Sequence, residues 1–160
     1  MVCFPFSLLC MVLITVLGRG VINVILAIGI AGVPGFARVT RGQVLIVKEE
    51  EYCNACRVVG VSPVRLLFLH ILPNCVSQII VYATLRIASA IISEASLSFL
   101  GLGIALPTAS WGSMLRVGRD CLTTAPHVAG TAGAFILVTV IGFNLLGDGI
   151  RDVMDPKMKQ

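Results

Sequence analysis

Apolar residues collect along the chain in four runs separated by polar stretches: Phe4 to Leu17, Val21 to Phe36, Cys75 to Leu102 and Val128 to Leu146. Each approaches the roughly 20 residues a helix needs to cross a hydrocarbon core. The pattern predicts four membrane helices, the first of them short. No positive charge precedes the apolar run in MVCFPFSLLCMVLITVLG, so this opening reads as a membrane helix and not as a cleaved leader.

The polar stretch between the second and third runs, about residues 48–74, predicts a helix-turn-helix outside the membrane. Lys48 to Val59 reads as a helix, with Glu49, Glu50 and Glu51 crowding a first turn where the macrodipole favours acids. Gly60 stands where a left-handed terminating residue is wanted. Ser62 then suits an N-cap, Pro63 the first helical position, and Pro73 is expected to end the second helix. Val64, Leu67, Phe68 and Ile71 recur at helical spacing, which predicts one apolar face in need of a cover.

Composition agrees with a bilayer as the solvent, since 57% of the 160 residues are apolar and only 12% are charged. The net charge of +4 is explained by topology. Arg38, Arg41, Lys48, Arg57 and Arg65 lie between the second and third runs, and Arg151, Lys157 and Lys159 follow the fourth, so both regions are expected on the cytoplasmic side. A stretch of about residues 104–127, with Arg116 and Arg119, then faces outward. No basic run with interleaved aromatics supports nucleic acid as a partner.

Six cysteines raise the question of metal or redox chemistry. Cys53 and Cys56 form a C-x-x-C pair on a charged helix, without the second pair or histidine cluster a zinc site needs. Cys3, Cys10 and Cys75 lie in or beside apolar runs, where a thiol acts as a small hydrophobe, and Cys121 stands alone. No metal site and no catalytic constellation is expected. The phosphate-loop pattern G-x-x-x-x-G-K-[ST] is missing as well, so hydrolysis of ATP is not assigned to this chain.

Two strings carry a family resemblance. EYCNACRVVGVSPVRLLFLHILPN resembles the cytoplasmic signature loop of binding-protein-dependent importer permeases, with Ala55, Gly60, Leu72 and Pro73 matching and Asn54 and Cys56 departing from the pattern. SEASLSFLGLGIALPTASWGSMLRVGRD, then LTTAP and FNLLGDGIRDVMDP, resembles the C-terminal third of the permeases for dipeptides, oligopeptides and nickel. PGFARVTRGQVL belongs to the same pattern, so the resemblance covers nearly the whole chain.

That resemblance implies an all-α membrane protein, part of a type I ATP-driven importer, as one partial permease domain over residues 1–160 in the bacterial inner membrane. It implies as partners cytoplasmic ATP-binding subunits that use the ATP, a second permease subunit and an extracytoplasmic solute-binding protein. The signature loop would dock on the ATPase through Tyr52, Ala55, Cys56, Arg57, Gly60, Ser62 and Arg65. Peptide is the expected cargo, with nickel the alternative. Members of this branch are commonly about twice as long, so the chain is expected to be N-terminally truncated, either a working permease completed by further sequence or a fragment that does not transport.

Two charges fall within the third run. At 1.5 Å per residue from Cys75, Arg86 lies about 16 Å up the helix and Glu94 about 28 Å, one at mid-membrane and one near its outer interface. Charge at that depth usually faces a cavity or a partner. Arg86 is therefore a candidate for the solute path. Glu94 is read as tying down the outer helix end, and Trp111 as an interfacial indole. Gly29, Gly32 and Gly35 with Pro34, and Gly130 with Ala134, read as bending and packing positions.

Overall fold

A computed structural model describes residues 5–105 and 107–154. Cys3, Lys157 and Lys159, used above for the cysteines and the orientation, lie outside the described residues. Among those residues the regular elements are helices: α1 (Phe6–Leu17), α2 (Val21–Lys48), α3 (Glu51–Val58), α4 (Pro63–Leu66), a π turn (Leu67–Ile71), α5 (Leu72–Phe99), α6 (Trp111–Asp120) and α7 (Pro126–Met154). The expected all-α membrane class is observed. Three helical stretches are long and apolar enough to cross a membrane, Val21–Lys48, Pro63–Phe99 and Pro126–Met154, and Phe6–Leu17 is a shorter apolar helix.

Three boundaries differ from the sequence reading. The second run does not stop at Phe36, because the residues from Ala37 to Lys48 become more polar without a proline among them; Gly42 weakens the helix by about 1 kcal/mol relative to alanine without ending it, and polarity alone changes a helix's surroundings and not its backbone. Pro34 lies inside α2 without ending it. Glu49 and Glu50 fall in the break after α2, which leaves Glu51 alone in the first turn of α3.

Pro73 does not end the second short helix either. The stretch from Pro63 runs on to Phe99. A helical proline lacks its N–H and crowds the carbonyl four residues back. Here the turn just before it is π, with the Leu72 N–H bonded to the Leu67 carbonyl five residues back. The wider turn relieves that crowding and lets the helix continue.

The chain divides into two compact units, Met1–Val33 with Arg86–Asn144 and Pro34–Leu85 with Leu145–Gln160. In the first, Cys10 and Ile14 of α1 pack with Val24, Ala27 and Ala31 of α2 and Leu97 of α5. Val24, Ala27 and Ala31 share one face of α2 through their three- and four-residue spacing. The α1–α2 turn is held by Gly18, in the left-handed region at φ +88°, and by the Asn23 amide, which donates to the carbonyls of Leu17 (2.7 Å) and Gly18 (3.1 Å).

The same unit contains a tightly built corner after α5. Gly101, at φ +81°, ends the helix, and the Leu102 N–H reaches the Leu97 carbonyl while the Gly101 N–H reaches that of Ser98. This is a Schellman closure, which satisfies two terminal carbonyls. Ser98 Oγ donates to the Glu94 carboxylate at 2.6 Å and accepts from the Ile104 N–H at 3.2 Å. Glu94 thereby ties the corner to its own helix. α6 starts on a capping box in which Ser110 and Ser113 each accept from the other's N–H. Gly112 lies directly on Ala95, and Gly118 on Ala129, where added side chains would strike backbone. Trp111 stacks on Phe135 with ring centroids 6.2 Å apart.

In the second unit Cys53, Leu66, Ile71 and Cys75 form a small core, against which Val44 and Val47 of α2, Cys56, Val61 and Ile79 pack. Phe36 meets Tyr82 edge to face at 4.9 Å. The glycine expectations divide. A Cβ at Gly32 or Gly35 would meet Arg86 or Tyr82, whereas Gly29 and Gly130 have nothing within 4 Å.

Candidate functional site

The α2–α5 connection is built from its helix ends inward. α3 closes as α5 does: Gly60 takes φ +83°, its N–H bonds the Arg57 carbonyl, and the Val61 N–H bonds that of Cys56, both at 3.0 Å. Ser62 occupies the N-cap position and Pro63 follows at the start of α4, but the Ser62 side chain makes no cap bond; its carbonyl accepts from the Leu66 N–H at 2.9 Å. The connection is thus one short helix, a glycine turn and the first turns of the long Pro63–Phe99 stretch; the glycine turn lies where the sequence placed it, while the second helix runs on past Pro73.

The apolar face is not the one expected. Leu66 and Ile71 are buried, while Val64 (68% exposed) and Phe68 (61%) are open, as are Val58 and Val59. The α-helical spacing of Val64, Leu67, Phe68 and Ile71 misleads because the turn between Leu67 and Ile71 is π. An i→i+5 bond brings the fifth residue over the first. Leu66 and Ile71 therefore share a face, and Cys75 follows one α turn on. Burying such side chains stabilises by about 1.5–3 kcal/mol each.

The residues singled out for docking fall into two groups. Ala55, Gly60, Ser62 and Arg65 are exposed. Others are engaged within the connection. Arg57 donates to Asn54 Oδ1 at 2.6 Å and to the Lys48 carbonyl at 3.1 Å, so its charge sits at the C-terminal end of α2, where the helix dipole favours a cation. Cys56 is half-buried and, like Val61, packs against the small core of Cys53, Leu66, Ile71 and Cys75. Tyr52 Oη accepts from Asn74, whose amide also donates to the His70 carbonyl at 2.7 Å. Desolvation, the neighbouring Cys53 and Glu50 push the Tyr52 phenol above its ordinary range, against the hydrogen bond from Asn74. The hydroxyl is therefore neutral at physiological pH.

Asn74 is the residue that sequence reasoning passed over. It fastens α3 to the start of α5, and its signal was its place directly after Pro73, where the polar stretch meets the apolar run.

Arg86 stands apart from this loop. Its guanidinium lies 5.2 Å from the centroid of the Phe6 ring on α1. A Cβ on Gly32 of α2 would be 3.4 Å from its Nη2. The side chain points among three helices of its unit and is half-buried. The salt bridge found among the described residues is elsewhere, Arg119 to Asp120 at 3.1 Å, with Arg119 also 5.3 Å from the centroid of Phe99.

Comparison with known proteins bears on all of these residues. The sequence model of one family, described as binding-protein-dependent transport system inner membrane component, matches residues 1–160. Glutathione transport system permease proteins GsiD from Salmonella typhimurium, Salmonella typhi and Shigella flexneri serotype 5b are each 49% identical to the chain over 156 residues. The match covers 98% of this chain and 52% of each relative, so the chain spans about half the length of the curated relatives it matches.

Proposed function

The chain belongs to the binding-protein-dependent transport system inner membrane components, and from that premise we propose that it is permease sequence of an ATP-driven importer for peptide-type solutes, with the α2–α5 connection as its docking element for an ATP-binding subunit. A second permease subunit and an extracytoplasmic solute-binding protein complete the assembly in this reading. ATP is used by the partner subunits. The α2–α5 connection and the C-terminal end of α7 face the cytoplasm in this reading, in keeping with Arg57, Arg65 and Arg151.

One observation carries the docking assignment: a connection with its own buried core and hydrogen bonds that leaves Val58, Val59, Val64 and Phe68 uncovered. A loop outside the membrane has no solvation reason to display these four. An apolar ridge with exposed Ala55 and Gly60 beside it, and Arg65 as a cation for an acidic partner, suits insertion into a cleft on another protein. Arg57, Cys56 and Tyr52 act in this reading by shaping the ridge. Peptide is favoured over nickel as cargo because the relatives at 49% identity are named for glutathione, a small peptide.

Site-directed cross-linking tests the assignment. In the assembled transporter, with the native cysteines removed, Val59→Cys is expected to cross-link to cysteines placed in the nucleotide-binding subunit's docking cleft, with a yield that changes when nucleotide is added. No cross-link at any of several cleft positions would overturn it.

A further inference from the structure

We infer that Arg86 is a carboxylate-recognition residue within the bilayer, and that the solutes carried are ones with a free carboxylate; this rests on the importer reading above. The unit that contains Arg86 holds Arg19, Arg86, Arg116 and Arg119 against Glu94 and Asp120. Asp120 is engaged by Arg119. Glu94 accepts from Ser98 and lies eight residues along α5 from Arg86, about 12 Å at the helical rise. Arg86 has neither carboxylate as its counter-charge.

A charge with no counter-ion at this depth ordinarily escapes by extending toward the interface. Arg86 does not follow that route, since its guanidinium is turned inward over the Phe6 ring and against Gly32. The ring face attracts the cation but supplies no hydrogen-bond acceptor. A guanidinium has five N–H donors in a planar fork that matches a carboxylate. Held by a ring and a glycine, the group is oriented and none of the described residues takes its N–H donors, which is the state an anion site requires before its ligand arrives. The same field opposes a divalent cation, so the inference also separates peptide from nickel.

The test is uptake by the full-length protein in its assembled transporter, reconstituted in vesicles and read per loaded binding protein, for a dipeptide and for its C-terminal amide. Wild type is expected to move the acid faster than the amide. Arg86→Gln is expected to slow the acid by about 10-fold, as for loss of a charged hydrogen bond, while leaving the amide within about twofold, and Arg86→Lys should restore most of the preference. Equal losses for acid and amide, as for a structural tie between helices, would overturn the inference, as would no loss for either. Should Arg86→Gln not assemble, Arg86→Lys decides: a retained preference for the acid supports the inference and its disappearance overturns it. Failure of wild type to move either peptide would overturn the proposed function itself, and this inference with it.

Discussion

Two helices of this chain end in the same way, α3 at Gly60 and α5 at Gly101, each with a left-handed glycine and the same pair of closing hydrogen bonds. Their surroundings differ. Around Gly101 the corner is closed: the Arg116 guanidinium covers it, Gly103 lies on Ser98, Gly112 on Ala95, and the Glu94–Ser98–Ile104 chain uses its polar groups. A Cβ built on Gly60 would find nothing within 4 Å, and the neighbouring apolar side chains are open. One local device thus serves two ends. In the α5 corner it completes internal packing, and in the α2–α5 connection it holds up a surface.

Substitutions can break the comparison at three strengths. The largest effect is expected at Gly112, where a Cβ would meet the Ala95 carbonyl oxygen at 2.6 Å and its Cα at 2.7 Å, both backbone atoms that cannot turn aside. Gly112→Ala should destabilise the protein by about 3 kcal/mol, read as an earlier thermal unfolding transition in detergent. An unchanged transition would mean that the corner is loosely packed.

Gly60→Ala should cost less, about 1 kcal/mol, because the penalty is the left-handed backbone alone and the added methyl has open space. Gly60→Asn should cost less still, since asparagine tolerates that conformation; a cost equal to that at Gly112 would contradict the open environment. Phe68→Ser should change stability by under about 0.5 kcal/mol while lowering solute-stimulated ATP hydrolysis in the assembled transporter. A large loss of stability there would show that Phe68 belongs to a core and not to a docking ridge.

Much of this was legible in the residues. Apolar runs gave the membrane helices because burial in lipid needs length and composition, both of which are linear properties of a sequence. Gly60 was legible as a terminator for a similarly local reason. What escaped was what depends on hydrogen-bond register or on distant partners. The fate of Pro73 and the choice between Phe68 and Leu66 as the buried residue both turned on a π turn that no spacing rule reveals. Arg57 was read only as a docking residue, because its acceptors, the Lys48 carbonyl and Asn54, are supplied by the folded loop. Glu94 was read rightly as a tie at the end of its helix, although its partner Ser98 was not named. For Arg86 its place along the third apolar run was legible, but the ring of Phe6, 80 positions away in sequence, was not.

The π turn at Leu67–Ile71 has a meaning for how this chain tolerates changes of length. A regular helix has no slack: losing one residue turns everything beyond it by about 100° and presents a new face to every neighbour. A turn that already carries an extra residue is different, because losing one there lets it tighten to the α form while the flanking segments keep their facing. Between Leu66 and Cys75, then, chain length and helix orientation are partly uncoupled, and a single-residue deletion within Leu67–Ile71 is expected to leave the facing of the rest of the Pro63–Phe99 stretch unchanged.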